Sequence, residues 1–199
     1  MLSRLRAYFS KFTVPVALFL IKVGLRANTI TALALIIALM YPVLILMLPT
    51  DYHLYSTFLI LISGILDSID GTIARMMRET SKLGAFLDSI SDRVSDMAYV
   101  CGLLISKITT PIEAILLLSG SMLISYTRAK YESLIEENGI EGIGICERAE
   151  RVLFIFIIAS VYYLNQLISR IVLYLLLLLI GITIVQRVLF VIGKLRGKK

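Results

Sequence analysis

Long apolar runs dominate this chain, and their lengths predict its elements. Six runs, at about residues 29–48, 54–74, 83–106, 111–127, 151–168 and 171–192, are of the size an α-helix needs to cross ~30 Å of hydrocarbon. The second and third are broken by carboxylates, so a plain hydropathy scan underrates them. Ahead of the first run, Leu2, Leu5, Phe9, Phe12, Val16, Phe19 and Val23 recur at alternating steps of three and four. Arg4, Lys11 and Lys22 fall on the opposite side. That pattern predicts an amphipathic helix lying in the membrane interface, too charged to span. A cleaved signal peptide is disfavoured, because no small-residue cleavage site follows and Lys22 interrupts the apolar stretch. Pro15 is expected to kink this helix or break it in two. The expected fold is an all-α integral membrane protein forming one domain over residues 1–199, with an interfacial helix in 1–25 and a six-helix transmembrane core in 26–199.

Composition agrees with that picture. Hydrophobic residues make up 58% of the chain and charged residues 17%, with a mean hydropathy of +0.90, too apolar for an ordinary soluble domain. Charge placement adds an orientation. Of the 20 Lys and Arg residues, six spans put all but Lys107 and Arg170 on one side. By the positive-inside rule both termini then face the cytoplasm, in the cell membrane. The net charge of +6 follows from this topology and implies no nucleic-acid partner.

The carboxylates inside the second and third runs carry the candidate chemistry. An ionised Asp at the centre of a membrane helix costs roughly 2.5–3.5 kcal/mol, so several are tolerated only if something neutralises them. Asp67 and Asp70 are spaced i, i+3, and Asp88 and Asp92 i, i+4, so each pair projects from one face of its helix. Two adjacent helices could aim all four at one point. Oxygen-only ligands favour Mg2+ or Mn2+. Carboxylates around one or two such ions, with Arg75 alongside, suit a pyrophosphate and phosphoryl transfer. Gly71, Ala74 and Gly84 leave room for a phosphate to approach the backbone, or for the helices to pack closely. Asp96, one turn beyond Asp92, is expected to support the site from outside or to sit at the interface.

Other reactive residue types add little. Cys101 and Cys146 are not expected to meet, and are expected to be reduced. His53, the only histidine, falls at the far end of the second run from the Asp residues and cannot serve them. No nucleophile–histidine pair, glycine-rich phosphate loop or internal repeat is apparent.

Written out, DSIDGTIARMMRETSKLGAFLDSISD, residues 67–92, fits the pattern D-x2-D-G-x2-A-R-x8-G-x3-D-x3-D without a gap. In this the chain resembles the CDP-alcohol phosphotransferases along its whole length. The resemblance implies transfer of a phosphatidyl-type group from a CDP-linked lipid to the hydroxyl of an acceptor alcohol, releasing CMP, in a homodimer. It makes Asp67, Asp70 and Asp88 metal ligands. Asp92 joins a second metal site and acts as general base. Gly71, Ala74 and Arg75 match positions contacting the CDP moiety, and Ser81, Asn28 and Thr31 match further nucleotide-side positions. The sequence RANTIT, residues 26–31, lacks the proline that many relatives carry before the asparagine.

The acceptor is to be sought in the connection between the fourth and fifth runs. Arg128, Lys130, Arg148 and Arg151 lie there. By charge alone they are either a pocket for an anionic acceptor or positive-inside charges among headgroups. The run RAKYE followed by ERAER is similar to the family members that use inositol phosphate, the phosphatidylinositol-phosphate and archaetidylinositol-phosphate synthases. Under that resemblance Glu147 and Glu150 hold the arginines, and Glu132 does likewise for Lys130. Glycerol 3-phosphate or serine as acceptor stays open. So does a divalent-metal transporter, although arginines beside the carboxylates would repel a permeating cation.

Overall fold

The computed structural model describes residues 6–77, 81–135 and 143–197. Within them the chain is helical: α1 (Arg6–Lys22), α2 (Ala27–Met47), α3 (His53–Ser56), α4 (Phe58–Met77), α5 (Lys82–Ile105), α6 (Pro111–Ile135), α7 (Arg148–Tyr162) and α8 (Gln166–Gly197). The helices sort into two compact units, residues 2–108 and 109–199.

In the first unit α2 packs on both α4 and α5, and α1 packs on α4. α1 runs unbroken through Pro15; Leu2, Arg4 and Leu5, at the start of the expected amphipathic face, lie outside the described residues. Thr13 and Ala17 of α1 are buried, Ala17 against Ala27, Ile30, Ile69 and Ile73. The larger Val16, Phe19 and Val23 stay exposed. A hydroxyl network ties three helices together: Ser63 donates to the Ala34 carbonyl at 2.7 Å, and Tyr99 donates to Ser63 Oγ at 2.9 Å. Farther along the same seam the ring of Tyr41 lies against Gly102, where a Cβ would collide with it. Bonding the hydroxyls to one another and to a carbonyl removes the penalty of burying them.

The second unit has α8 against both α6 and α7. Thr110 and Glu113 form a reciprocal cap at the start of α6, Thr110 N–H donating to Glu113 Oε2 at 2.7 Å and Glu113 N–H to Thr110 Oγ1 at 3.3 Å, with Pro111 as first helical residue. Glu113 also accepts from Arg170 at 2.7 Å and from Tyr174 at 3.0 Å. Arg170 therefore lies inside α8, in an ion pair, rather than in a connection. The division between the last two runs moves accordingly: Asn165 Oδ1 accepts the Ile168 N–H at 3.1 Å and starts α8 at Gln166, ahead of the expected residue 171. α6 likewise continues to Ile135, past the expected 127.

Residue distribution is inverted relative to a soluble protein. Leu46, Met47, Ile112 and Leu167 are exposed, while Asp70, Asp96, Glu113, Glu150, Arg151 and Arg187 are buried. An apolar exterior with charged residues turned inward suits a hydrocarbon solvent. Among the described residues three segments, Ala27–Met47, Thr50–Met77 and Gln166–Arg196, are long and apolar enough to cross a membrane by length and composition. The runs expected at 83–106, 111–127 and 151–168 fall on α5, α6 and α7, which do not meet that measure, and α7 ends at Tyr162, short of the expected 168.

Candidate metal centre and substrate residues

The acidic centre is built from the middle of α4 and the N-terminal part of α5. Asp67 and Asp70 come from consecutive turns of α4, and Asp88 from the second turn of α5. One carboxylate oxygen from each lies within 4.8 Å of the others, with Asp70 buried and its two partners half-buried. Like charges at that range repel by roughly 3.5 kcal/mol per pair at an effective dielectric of about 20, so the group calls for a cation. An octahedral ion with bonds of ~2.1 Å holds its oxygens about 3 Å apart in adjacent positions and about 4.2 Å across. Three carboxylates at the observed range therefore fit a hard divalent ion. Asp92, one turn farther along α5, is not in that group; its Oδ2 lies 3.7 Å from Arg93 Nη1, and Arg93 donates to the Ser89 carbonyl at 2.5 Å.

Thr31, matched to a nucleotide-side position, stands against the acidic group. Its buried hydroxyl lies 2.6 Å from Asp70 Oδ2 and 3.1 Å from the Ala27 carbonyl. It is a hydrogen-bond partner of a carboxylate in the acidic group, supplied by α2. Asn28, a turn earlier, approaches α5: a Cβ at Gly84 would lie 3.1 Å from Ser81 Oγ and 3.4 Å from Asn28 Oδ1. Ser81 caps α5, its Oγ accepting the Gly84 N–H at 3.0 Å. Asn28, Ser81 and Gly84 thus converge. Arg75 folds back along its own helix, donating to Thr72 Oγ1 at 3.2 Å, and a Cβ at Gly71 would lie 3.4 Å from its Nη1. Ala74 packs toward the core cluster containing Ala17 and Ile73.

The cations assigned to the acceptor lie in the second unit. Arg148 and Arg151 occupy the first turn of α7, Arg148 half-buried and Arg151 buried. Arg128 and Lys130 are exposed on α6. Glu132 accepts from Arg128 at 2.8 Å, not from Lys130 as expected: one helical turn brings i and i+4 together, whereas i+2 points away. Glu147 Oε1 lies 3.8 Å from Nη2 of Arg187, one of the basic residues expected on the cytoplasmic side. Arg187 is buried and donates to the Ile143 carbonyl and to the Ile124 carbonyl, both at 2.9 Å. An Arg interrupting the apolar stretch of α8 between Arg170 and Lys194 was the signal that could have marked it.

Fold and site together define an all-helical membrane protein with a cluster of three carboxylates suited to a divalent ion. A family model for CDP-alcohol phosphatidyltransferases matches residues 25–188, and the chain belongs to that family. It is 35% identical over 196 residues to the archaetidylinositol phosphate synthase of Aeropyrum pernix, covering 98% of this chain and 97% of that one. The corresponding synthase of Pyrococcus horikoshii is 31% identical, with 94% and 95% covered. Among solved structures, phosphatidylinositol phosphate synthase of Mycobacterium tuberculosis with CDP-DAG bound superposes with a TM-score of 0.75 at 28% identity, covering 91% of this chain and 94% of that one. The same enzyme in complex with manganese and citrate gives 0.74 at 29% identity, covering 90% and 88%. The chain is a transferase of phospholipid synthesis, and the acidic group together with a manganese-bound neighbour supports divalent-metal use.

Proposed function

We propose that this enzyme transfers the phosphatidyl-type group of a CDP-linked lipid, diacylglycerol- or archaeol-based, to the hydroxyl of inositol phosphate, releasing CMP. The convergence of Asp67, Asp70 and Asp88 carries the chemistry. Near full-length likeness to archaetidylinositol phosphate synthases supports the acceptor.

Asp67, Asp70 and Asp88 would hold Mg2+ or Mn2+, with Asp92 completing a second site. Such ions, when bound, neutralise the diphosphate and stabilise charge developing on the transferred group. Thr31 orients Asp70 through its hydroxyl. Asn28, Ser81, Gly71, Ala74 and Arg75 receive the CDP moiety. Asp92 takes the proton of the acceptor hydroxyl as its oxygen attacks phosphorus. The new P–O bond forms as the anhydride bond breaks, and CMP leaves with the bonding pair. Arg148 and Arg151, with Arg128 and Lys130, hold the acceptor phosphate through charge-assisted hydrogen bonds.

In this reading α2 and α4–α8 are six spans and α1 lies in the interface. Both termini and the acidic centre face the cytoplasm, and the protein works as a homodimer in the cell membrane. α8, at 32 residues, is roughly 48 Å long, so its basic end reaches past ~30 Å of hydrocarbon.

The test is CMP release by purified protein given a CDP-lipid and inositol phosphate, glycerol 3-phosphate or serine in turn. Inositol phosphate should be preferred. Arg148→Ala or Arg151→Ala should raise its KM at least ~10-fold, since a hydrogen bond to a charged group is worth roughly 1.5–3 kcal/mol, and leave the CDP-lipid KM nearly unchanged. Turnover with glycerol 3-phosphate alone overturns the acceptor assignment.

A further inference from the structure

The segment entering α7 is held by α8 in an unusual way. Thr183, fully buried in α8, donates its hydroxyl hydrogen to the Leu179 carbonyl at 2.8 Å and accepts the Cys146 N–H at 3.1 Å. Its methyl group lies where Gly144 has no side chain: a Cβ there would come within 2.5 Å of Thr183 Cγ2. Gly144 also has φ +111°, a conformation that side chains with a Cβ rarely adopt. One turn farther along α8, Arg187 binds the Ile143 carbonyl at 2.9 Å. Two successive turns of one helix therefore grip the backbone of residues 143–146. Glu147 follows as the N-cap of α7, its carbonyl accepting the Arg151 N–H at 3.0 Å. Arg148 is two residues from the Cys146 amide that Thr183 holds.

We propose that Thr183, with Gly144 seated against it, is a positioning residue for the acceptor. It fixes the strap from which α7 starts, and so sets where Arg148 and Arg151 present their guanidinium groups. The inference rests on the reading that those arginines hold the acceptor phosphate. Bonding backbone to a neighbouring helix specifies a location more tightly than side-chain packing, because an amide bond weakens steeply with distance and angle. A misplacement of ~1 Å at a substrate-holding group costs up to about 100-fold.

Thr183→Val keeps the shape and the methyl against Gly144 but removes the oxygen that accepts the Cys146 N–H. The acceptor KM should rise about 10-fold, with the CDP-lipid KM and the half-saturating Mn2+ concentration within about 2-fold of wild type. Thr183→Ser retains the acceptor oxygen and should restore the acceptor KM. From the opposite side, Gly144→Ala should raise the same KM. Adding Thr183→Ser to it removes the colliding methyl and should bring the value part of the way back. Should the valine variant fail to accumulate, the Gly144→Ala variant and its double mutant carry the same test.

An unchanged acceptor KM in Thr183→Val, alongside a raised KM in Arg148→Ala, overturns the positioning role and leaves the acceptor reading standing. Parallel losses in kcat and in both KM values overturn it too, in favour of a general structural role. If Arg148→Ala and Arg151→Ala themselves leave the acceptor KM unchanged, the acceptor reading fails and takes this inference with it.

Discussion

Thr31 on α2 reaches across to Asp70 on α4, hydroxyl to carboxylate at 2.6 Å. Asp70 is the most buried member of the acidic group, and this bond fixes which way its oxygens point. Removing such a partner of a metal-binding side chain typically costs about 10- to 100-fold in affinity. Thr31→Val should raise the half-saturating Mn2+ concentration by that factor and leave the acceptor KM unchanged, while Thr31→Ser stays near wild type. A metal titration of CMP release checks this; superimposable curves for valine and wild type would remove Thr31 from the centre.

Chelation should abolish activity. Three carboxylates within 4.8 Å of one another repel strongly unless a cation sits among them. Excess EDTA should stop CMP release, and added Mg2+ or Mn2+ should restore it. Asp67→Asn and Asp88→Asn should each weaken metal binding and so raise the half-saturating metal concentration. Full activity in EDTA contradicts the assignment.

Asp92 stands outside the three-carboxylate group and next to Arg93, 3.7 Å away. A proton acceptor there need not be a ligand for the first ion. Asp92→Asn should lower kcat by about 100- to 10,000-fold with CDP-lipid binding largely kept, as read by equilibrium binding beside single-turnover rates. Turnover near wild type would place the base elsewhere.

Gly102 predicts a stability effect far from the chemistry. A methyl there would collide with the ring of Tyr41, which is itself fully buried. Overpacking of this kind costs typically 1–3 kcal/mol. Gly102→Ala should lower the thermal midpoint of the purified protein, and an unchanged midpoint would show that the α2–α5 seam is looser than it looks.

The two thiols should differ in reactivity. Burial pushes the Cys146 thiol up to about 11, so below that pH it is protonated and a poor nucleophile. Cys101 is exposed. Alkylation at pH 8 followed by mass spectrometry should label Cys101 first in detergent, and Cys146 only after unfolding. Equal rates would contradict the burial of Cys146.

Much of this protein was legible without coordinates, because two of its constraints are local. A helix must be long and apolar to cross a bilayer, so runs such as 29–48 announced α2 within two residues. Carboxylates in such runs are costly enough to mark a site, and i, i+3 spacing alone put Asp67 and Asp70 on one face. Helix ends were less legible: the start of α8 depends on a single side-chain cap at Asn165.

What tertiary structure decided was pairing. Nothing in RANTIT says that Thr31 would meet Asp70, 39 residues away, because that contact depends on how α2 crosses α4. Nor does the chain order reveal that Arg187 and Thr183 grip the strap before α7, since those contacts depend on how α8 lies against it. The sequence by itself determined which residue types stand at the acidic centre and that they lie in apolar helices, because those follow from periodicity and solvation. Only the fold decided which neighbours orient them, because a hydrogen bond forms or fails over tenths of an ångström that no linear spacing encodes.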